Sequence, residues 1–365
     1  MMRRFALLGI AAAAFAVSTI VPAHAEQEIS GREITGAGST FAYPIISAWS
    51  RAYDRARFES EYDVGGSGLD SPPVGQTLTY EPVGSYAGML RVSSGQVDFA
   101  ASDVPLKSEE LAKLGLGQFP LVMGGVVAAV NVEGIEAGQL RLTGPVLADI
   151  FLGIVAKWND PAIAALNPDL ALPDARIVTV HRSDGSGTTY NFADYLAKVS
   201  PVWKERMGVD TLLPWSLGAG AKGNDGVAQA VKQTDNSIGY VEYVQATKAR
   251  LSYALVQNST GKFVRPEPAS FQAAAATADW VNTKDFYQML TNAPGETAYP
   301  IAATVFVFMR KEASLVQRPR AALDLFQWAL DHGAKDAAGL GYVPLPEALV
   351  KQVKDYWART FQTGA

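Results

Sequence analysis

H-R-S-D-G-S-G-T-T-Y, His181 to Tyr190, lies ahead of the helical pattern Asn191 to Val199, in which Phe192, Tyr195, Leu196 and Val199 share a face. His181 and Arg182 alternate faces on a strand-like run, so the stretch reads as the turn of a strand-to-helix unit. Backbone N–H groups at a helix start lack partners within the helix, and the aligned peptide dipoles place partial positive charge there. An oxyanion can be held at such a terminus without a metal. Gly185 and Gly187 let the backbone come close. Ser186, Thr188 and Thr189 add hydroxyls, and Arg182 adds a planar fork matched to phosphate-like oxygens. At this level the alternative is a capped turn with a surface Arg–Asp pair.

Working outward, apolar runs of strand length alternate with helical patterns along the chain, the sequence form of an α/β fold with mostly parallel sheets. Val126 to Asn131 and Thr304 to Met309 are the clearest buried strands. Helices are expected over Phe41 to Arg57, where Ile46, Trp49 and Tyr53 align, and over Arg320 to Asp331, closed by Gly333. A chain of 365 residues points to two domains. Asp63 to Gln76, rich in Gly, Pro, Ser and Asp, is expected to be an exposed loop.

Two further segments repeat the glycine-and-hydroxyl theme. Gly36-Ala37-Gly38-Ser39-Thr40 stands between the short β-like stretch Glu33 to Thr35 and the helix at Phe41. It is not a dinucleotide fingerprint, because Phe41 occupies the place of the third glycine. Gly84-Ser85-Tyr86-Ala87-Gly88 forms the other turn, ahead of a short helical pattern. Ser and Thr also cap helices for structural reasons alone.

Val97 to Asp103 reads as a half-buried strand with a carboxylate at its C-terminal edge, where ligands sit in open α/β sheets. A carboxylate beside an anion makes sense when the ligand carries its own proton. Monobasic or dibasic phosphate has a P–OH to donate, whereas sulfate at neutral pH has only acceptors. Asp103 then rejects the isosteric competitor by repulsion and by an unsatisfied buried acceptor. Without the other segments, an Asp capping a turn or the helix near Ser108 is the simpler reading.

The first residues bear on location. Arg3 and Arg4 precede the apolar run Phe5 to Val17, and Ala23-His24-Ala25 supplies small residues for a peptidase, so residues 1–25 read as a secretory signal. The apolar run falls short of the ~20 residues a spanning helix needs. Both general and twin-arginine export stay open. The sequence has no cysteine, which excludes disulfides, thiolate metal sites, a cysteine nucleophile and a lipidated cysteine. The mature protein is therefore expected free in the periplasm, without a lipid anchor. The net charge of −5 becomes more negative once Arg3 and Arg4 are removed, so no nucleic-acid partner is expected.

Taken in order, G-A-G-S-T-F-A-Y-P at Gly36, V-D-F-A-A-S-D at Val97, R-S-D-G-S-G-T at Arg182, G-N-D-G at Gly223 and I-G-Y-V-E-Y at Ile238 resemble the periplasmic phosphate-binding proteins of bacterial phosphate import. The resemblance runs from about Ile34 to Gly341-Tyr342-Val343-Pro344-Leu345-Pro346. It implies a type II periplasmic binding protein fold: two α/β domains, a ligand cleft between them and two chain crossings. Residues 26–125 and 298–365 would form domain I, and residues 126–297 domain II. It further implies that Thr40, Phe41, Ser85, Asp103, Arg182, Ser186, Gly187 and Thr188 bind phosphate, with Ser39 and Asp184 behind them. Asp184 would hold the Arg182 guanidinium. Ser85 is preferred to Ser67 for the second loop, because its distance to Asp103 fits the family and a helix pattern follows it. The loop Asp63 to Gln76 looks like an insertion relative to the family. The implied partner is the membrane permease of an ABC-type importer, with the chain a monomer needing no cofactor or metal.

Two other functions compete with phosphate binding for import. A binding protein for sulfate or molybdate is the nearer, and Asp103 argues against both. The other is a secreted phosphatase. A phosphate-binding P-loop requires Lys after its last glycine, but Thr188 follows Gly187. Beyond the signal only His181 and His332 remain, in no pattern suited to a hydrolytic metal pair. His181 activating Ser186 is the one catalytic pairing on offer, and its position beside Arg182 on a strand turns it to the opposite face.

Overall fold

The computed structural model describes residues 34–62, 78–312 and 317–361. The expected export signal, residues 1–25, and the expected loop Asp63 to Gln76 with Ser67 lie outside them.

Leu116–Asn131 carries an almost unbroken apolar run and is buried along its length up to Asn131, as a strand covered on both faces must be. Its first part pairs antiparallel with Ala302–Arg310, from Leu116 opposite Arg310 to Gly125 opposite Ala302. From Val126 onward it pairs antiparallel with Ser237–Glu242 instead. One strand thus serves both halves of the sheet, changing partner between Gly125 and Val126. Beside the first half, Phe99–Ser102 lies against Ala302–Arg310, followed by Ile34–Gly38 and Leu78–Glu81. Beside the second, Val178–Arg182 and Ala219–Ala221 follow Ser237–Glu242. Val343–Pro344 and Ser252–Tyr253 also pair with the long strand, completing a curled sheet of ten strands among the described residues. A separate sheet of three joins Arg141–Leu142, Leu255–Gln257 and Phe263–Val264.

The expectation of mostly parallel sheets is wrong at the centre. Outer strands are parallel, but Leu116–Asn131 and Ala302–Arg310 run antiparallel to every neighbour. Parallel pairs need crossover connections, which here flank only the outer strands. The two long strands run in opposite directions across the middle, so they pair head to tail.

Helix starts also differ from the sequence pattern. Tyr43–Tyr62 begins two residues after Phe41, because the Ser39 hydroxyl accepts the N–H groups of Phe41 and Ala42 at 3.0 and 3.2 Å and holds them outside the helix. Gly187–Val199 begins earlier than Asn191, with the Ser186 hydroxyl accepting the Thr189 N–H at 3.1 Å. The final glycine and both threonines of the quoted stretch are therefore first-turn residues. Gln317–His332 likewise begins ahead of Arg320 and ends before Gly333. The predicted strand Val97 to Asp103 contracts to Phe99–Ser102, which is buried on both faces rather than half-buried.

Candidate functional site

Three strands deliver side chains to one place by their C-terminal ends. Ile34–Gly38 leads into Ser39, Thr40 and Phe41; Phe99–Ser102 leads into Asp103; Val178–Arg182 ends on Arg182 itself. Two helix starts meet them, Ser85–Ser93 and Gly187–Val199. The Ser39 hydroxyl donates to Asp103 Oδ1 at 2.5 Å, the Thr188 hydroxyl reaches Asp103 Oδ2 at 3.4 Å, and the Gly187 N–H donates to Ser85 Oγ at 3.1 Å. Thr40, Phe41, Ser85, Asp103, Arg182, Ser186 and Thr188 are all buried.

Gly187 makes this convergence fit. A Cβ there would stand 2.6 Å from Ser85 Oγ and 2.8 Å from Asp103 Oδ2, closer than any side chain tolerates. Gly84 has a φ of 94°, and the neighbouring Tyr86 N–H donates to Gly185 O at 3.1 Å.

Arg182 is fully buried and gripped in bidentate fashion by Asp184, Nε to Oδ1 at 2.8 Å and Nη2 to Oδ2 at 2.5 Å. The Gly223 N–H adds a bond to Asp184 Oδ1 at 3.0 Å. Burial alone would push the Asp184 carboxyl up, but the guanidinium and this N–H outweigh it and hold the group below the usual carboxylate range. Asp103 behaves oppositely. Burial raises it to about 6, against the opposing pull of the Ser39 hydroxyl, the Arg182 charge and the Thr188 hydroxyl. A carboxylate so placed is a strong acceptor at neutral pH and has little solvent to satisfy it.

Several residues at the site were not singled out from the sequence. Asn191 donates through Nδ2 to the carbonyls of Asp103 and Gly187 at 2.7 and 3.0 Å, tying the two segments together. The Tyr240 hydroxyl accepts the Arg182 N–H at 3.0 Å and lies 2.8 Å from the Thr189 hydroxyl. Tyr80 donates to the Ser39 carbonyl at 2.9 Å. Asn224 contacts the hydroxyls of Thr40 and Thr188. The advance signals were the quoted G-N-D-G and I-G-Y-V-E-Y segments, at Gly223 and Ile238, whose Asn224, Tyr240 and Glu242 carried no assigned task. Glu242, at the edge of Ser237–Glu242, is fully buried and pushed up to about 8 by burial, although the N–H groups of Val244 and Gln245 donate to it at 2.6 and 2.9 Å.

His181 stands apart in its contacts. Its ring stacks on Trp215 with centroids 4.7 Å apart, and Nδ1 sits 3.1 Å from the Arg182 carbonyl. Among the described residues no group of three or more His, Asp or Glu side chains is arranged to hold a metal ion.

A model of the PBP superfamily domain matches residues 21–331. The phosphate-binding protein PstS of Xylella fastidiosa (strain 9a5c) is 48% identical over 345 residues, spanning 94% of this chain and 90% of that protein. PstS of Pasteurella multocida is 42% identical over 357 residues, spanning 98% and 96%. Among solved structures, a phosphate-binding protein from Stenotrophomonas maltophilia superposes with a TM-score of 0.64 at 20% identity, covering 91% of this chain and 95% of that one. That likeness speaks for the fold, which is the two-domain type II periplasmic binding protein fold. The family is one of substrate-binding proteins rather than enzymes. By the superfamily match and the extent of the identity, the chain belongs to the PstS family of phosphate-binding proteins.

Proposed function

We propose that this protein binds inorganic phosphate in the periplasm and delivers it to the membrane permease of an ABC-type phosphate importer, without catalysing a reaction. The observation that carries the reading is the pairing of donor-rich loops with one buried acceptor: Asp103 stands among the hydroxyls of Ser39 and Thr188 and within the field of Arg182. Hydroxyls, main-chain amides and a guanidinium supply what a tetrahedral anion accepts. Asp103 takes the hydrogen that a phosphate carries and sulfate lacks.

Thr40, Phe41, Ser85 and Asp103 bind from domain I, and Arg182, Ser186, Gly187 and Thr188 from domain II. Ser39 orients Asp103, and Asp184 orients Arg182. Domain I comprises residues 26–125 and 298–365, and domain II residues 126–297. The change of partner between Gly125 and Val126, and the Val126 N–H bond to the Ile301 carbonyl at 2.9 Å, support crossings at those points. Hinge closure about them grips the ligand from both sides. A buried phosphate needs nearly every oxygen matched to a donor. Roughly ten charge-assisted bonds of about 1.5 to 3 kcal/mol each sum to about 15 to 30 kcal/mol, well above the ~8 kcal/mol of micromolar affinity, which leaves room for the costs of closure and desolvation. The chain is exported, cut after Ala25, and works as an unanchored monomer.

Competition calorimetry tests this reading. Phosphate is expected to bind with one-to-one stoichiometry and to stay bound in millimolar sulfate or molybdate. Displacement by either anion would favour a different oxyanion as the cargo, and turnover of an activated phosphate ester would favour a phosphatase.

A further inference from the structure

Asn224 is fully buried at the start of the helix Gly223–Gln233, outside the three loops at Ser39, Ser85 and Gly187. Its side-chain orientation is fixed by chemistry. Asn224 Oδ1 accepts the Glu242 backbone N–H at 3.0 Å, and a backbone N–H can only donate, so Nδ2 must face the other way. The two Nδ2 hydrogens then go to Thr40 Oγ1 at 2.9 Å and Thr188 Oγ1 at 3.2 Å, while the Asn224 backbone N–H goes to Thr40 Oγ1 at 3.2 Å.

A hydroxyl has one hydrogen and two lone pairs. Both lone pairs of Thr40 are occupied by Asn224, so its only remaining capacity is to donate. One lone pair of Thr188 is occupied in the same way. An unconstrained hydroxyl facing an anion spends part of its time presenting a lone pair, which repels. It also offers an alternative resting place for a hydrogen on the ligand.

We propose that Asn224 is the positioning residue that makes Thr40 a hydrogen-bond donor toward phosphate and takes up one of the two lone pairs of Thr188, so that fewer hydroxyl oxygens compete with Asp103 for the ligand's hydrogen. The assignment rests on the phosphate reading above. It adds a closure function, because Thr40 and Asn224 belong to different domains and their bonds exist only when the domains meet. The neighbouring Gly223 N–H holds Asp184, so a single helix start steadies both the hydroxyl pair and the guanidinium.

The test is a double-mutant cycle read by phosphate calorimetry on the full exported chain, with Asn224→Ala, Thr40→Val and the double variant. Asn224→Ala is expected to weaken binding roughly 10- to 100-fold, the worth of a charge-assisted bond. In the Thr40→Val background the same change should cost only a few-fold more, through Thr188. Equal, additive losses in the two backgrounds would overturn the assignment. Asn224→Asp is the isosteric second variant, used also if the alanine variant does not fold. It keeps the acceptor for the Glu242 N–H but replaces donors by acceptors, and its deficit relative to wild type should shrink as the pH falls and the new carboxyl gains a hydrogen to donate. A deficit that does not vary with pH would also overturn the assignment. The wild-type titration separates the two claims. Wild-type binding with additive losses removes only the role of Asn224, whereas no wild-type binding removes the phosphate reading and this assignment together.

Discussion

Replacing Arg182 by Ala removes a guanidinium whose Nε and Nη2 are committed to Asp184, leaving three of its five N–H groups for the ligand. If two of these meet phosphate oxygens, at about 1.5 to 3 kcal/mol each, the loss is about 3 to 6 kcal/mol. At ~1.4 kcal/mol per decade the dissociation constant rises roughly 10²- to 10⁴-fold. Arg182→Lys keeps the charge but not the fork, so it should fall between. Thr189→Ala is the matched control. Thr189 is equally buried, but its hydroxyl meets Tyr240 and its N–H caps onto Ser186, so the change should alter affinity less than tenfold. Isothermal calorimetry with inorganic phosphate measures all three, and circular dichroism checks that each variant is folded. Comparable affinities for Arg182→Ala and Thr189→Ala would falsify the claim that Arg182 touches the ligand.

Gly187→Ala places a methyl against Ser85 Oγ and Asp103, and at about 1 to 3 kcal/mol of overpacking phosphate affinity should fall roughly 5- to 150-fold. Small-angle scattering should show a more open molecule with phosphate present; an unchanged profile and affinity would refute the contact. Burial raises Glu242 to about 8 from 4.5, so the folded state holds its proton more tightly than the unfolded chain. The resulting stability is complete below pH 4.5 and is lost as pH rises through about 8, a drop of about 5 kcal/mol from this group. Urea denaturation without phosphate at pH 5 and 8.5 checks this, and Glu242→Gln should reduce the dependence to the smaller part that Asp103, raised to about 6, contributes; a wild type equally stable at both pH values contradicts it.

The loops at Ser39, Ser85 and Gly187 were readable in advance because their chemistry is local: a strand end, small residues and a helix start adjoin in sequence. Asp103 was readable for the same reason, as a carboxylate at a strand edge. Asn224 was not, since its partner Thr40 lies 184 residues away and a lone Asn in a glycine turn has many ordinary uses. Glu242 was hidden similarly, because nothing beside it in the sequence foretells its complete burial. Strand direction at the centre was beyond reach for a different reason. Alternating apolar runs reveal strands and helices, but Leu116–Asn131 and Ala302–Arg310 owe their orientation to the chain passing between halves, and periodicity carries no trace of that.

The swap of partners along Leu116–Asn131 has a mechanical side. Gly124 and Gly125 sit at the swap, and the space their missing Cβ atoms leave is filled by rings: Phe41 at 2.9 Å from one virtual carbon and Phe271 at 2.2 Å from the other. Phe41, which follows Ser39 and Thr40 in the first glycine-and-hydroxyl loop, therefore rests its ring on the long strand where the partners change. If closure twists the strand at this point, as the proposed domain crossing requires, the Phe41 ring would carry that twist directly to the loop beside Thr40.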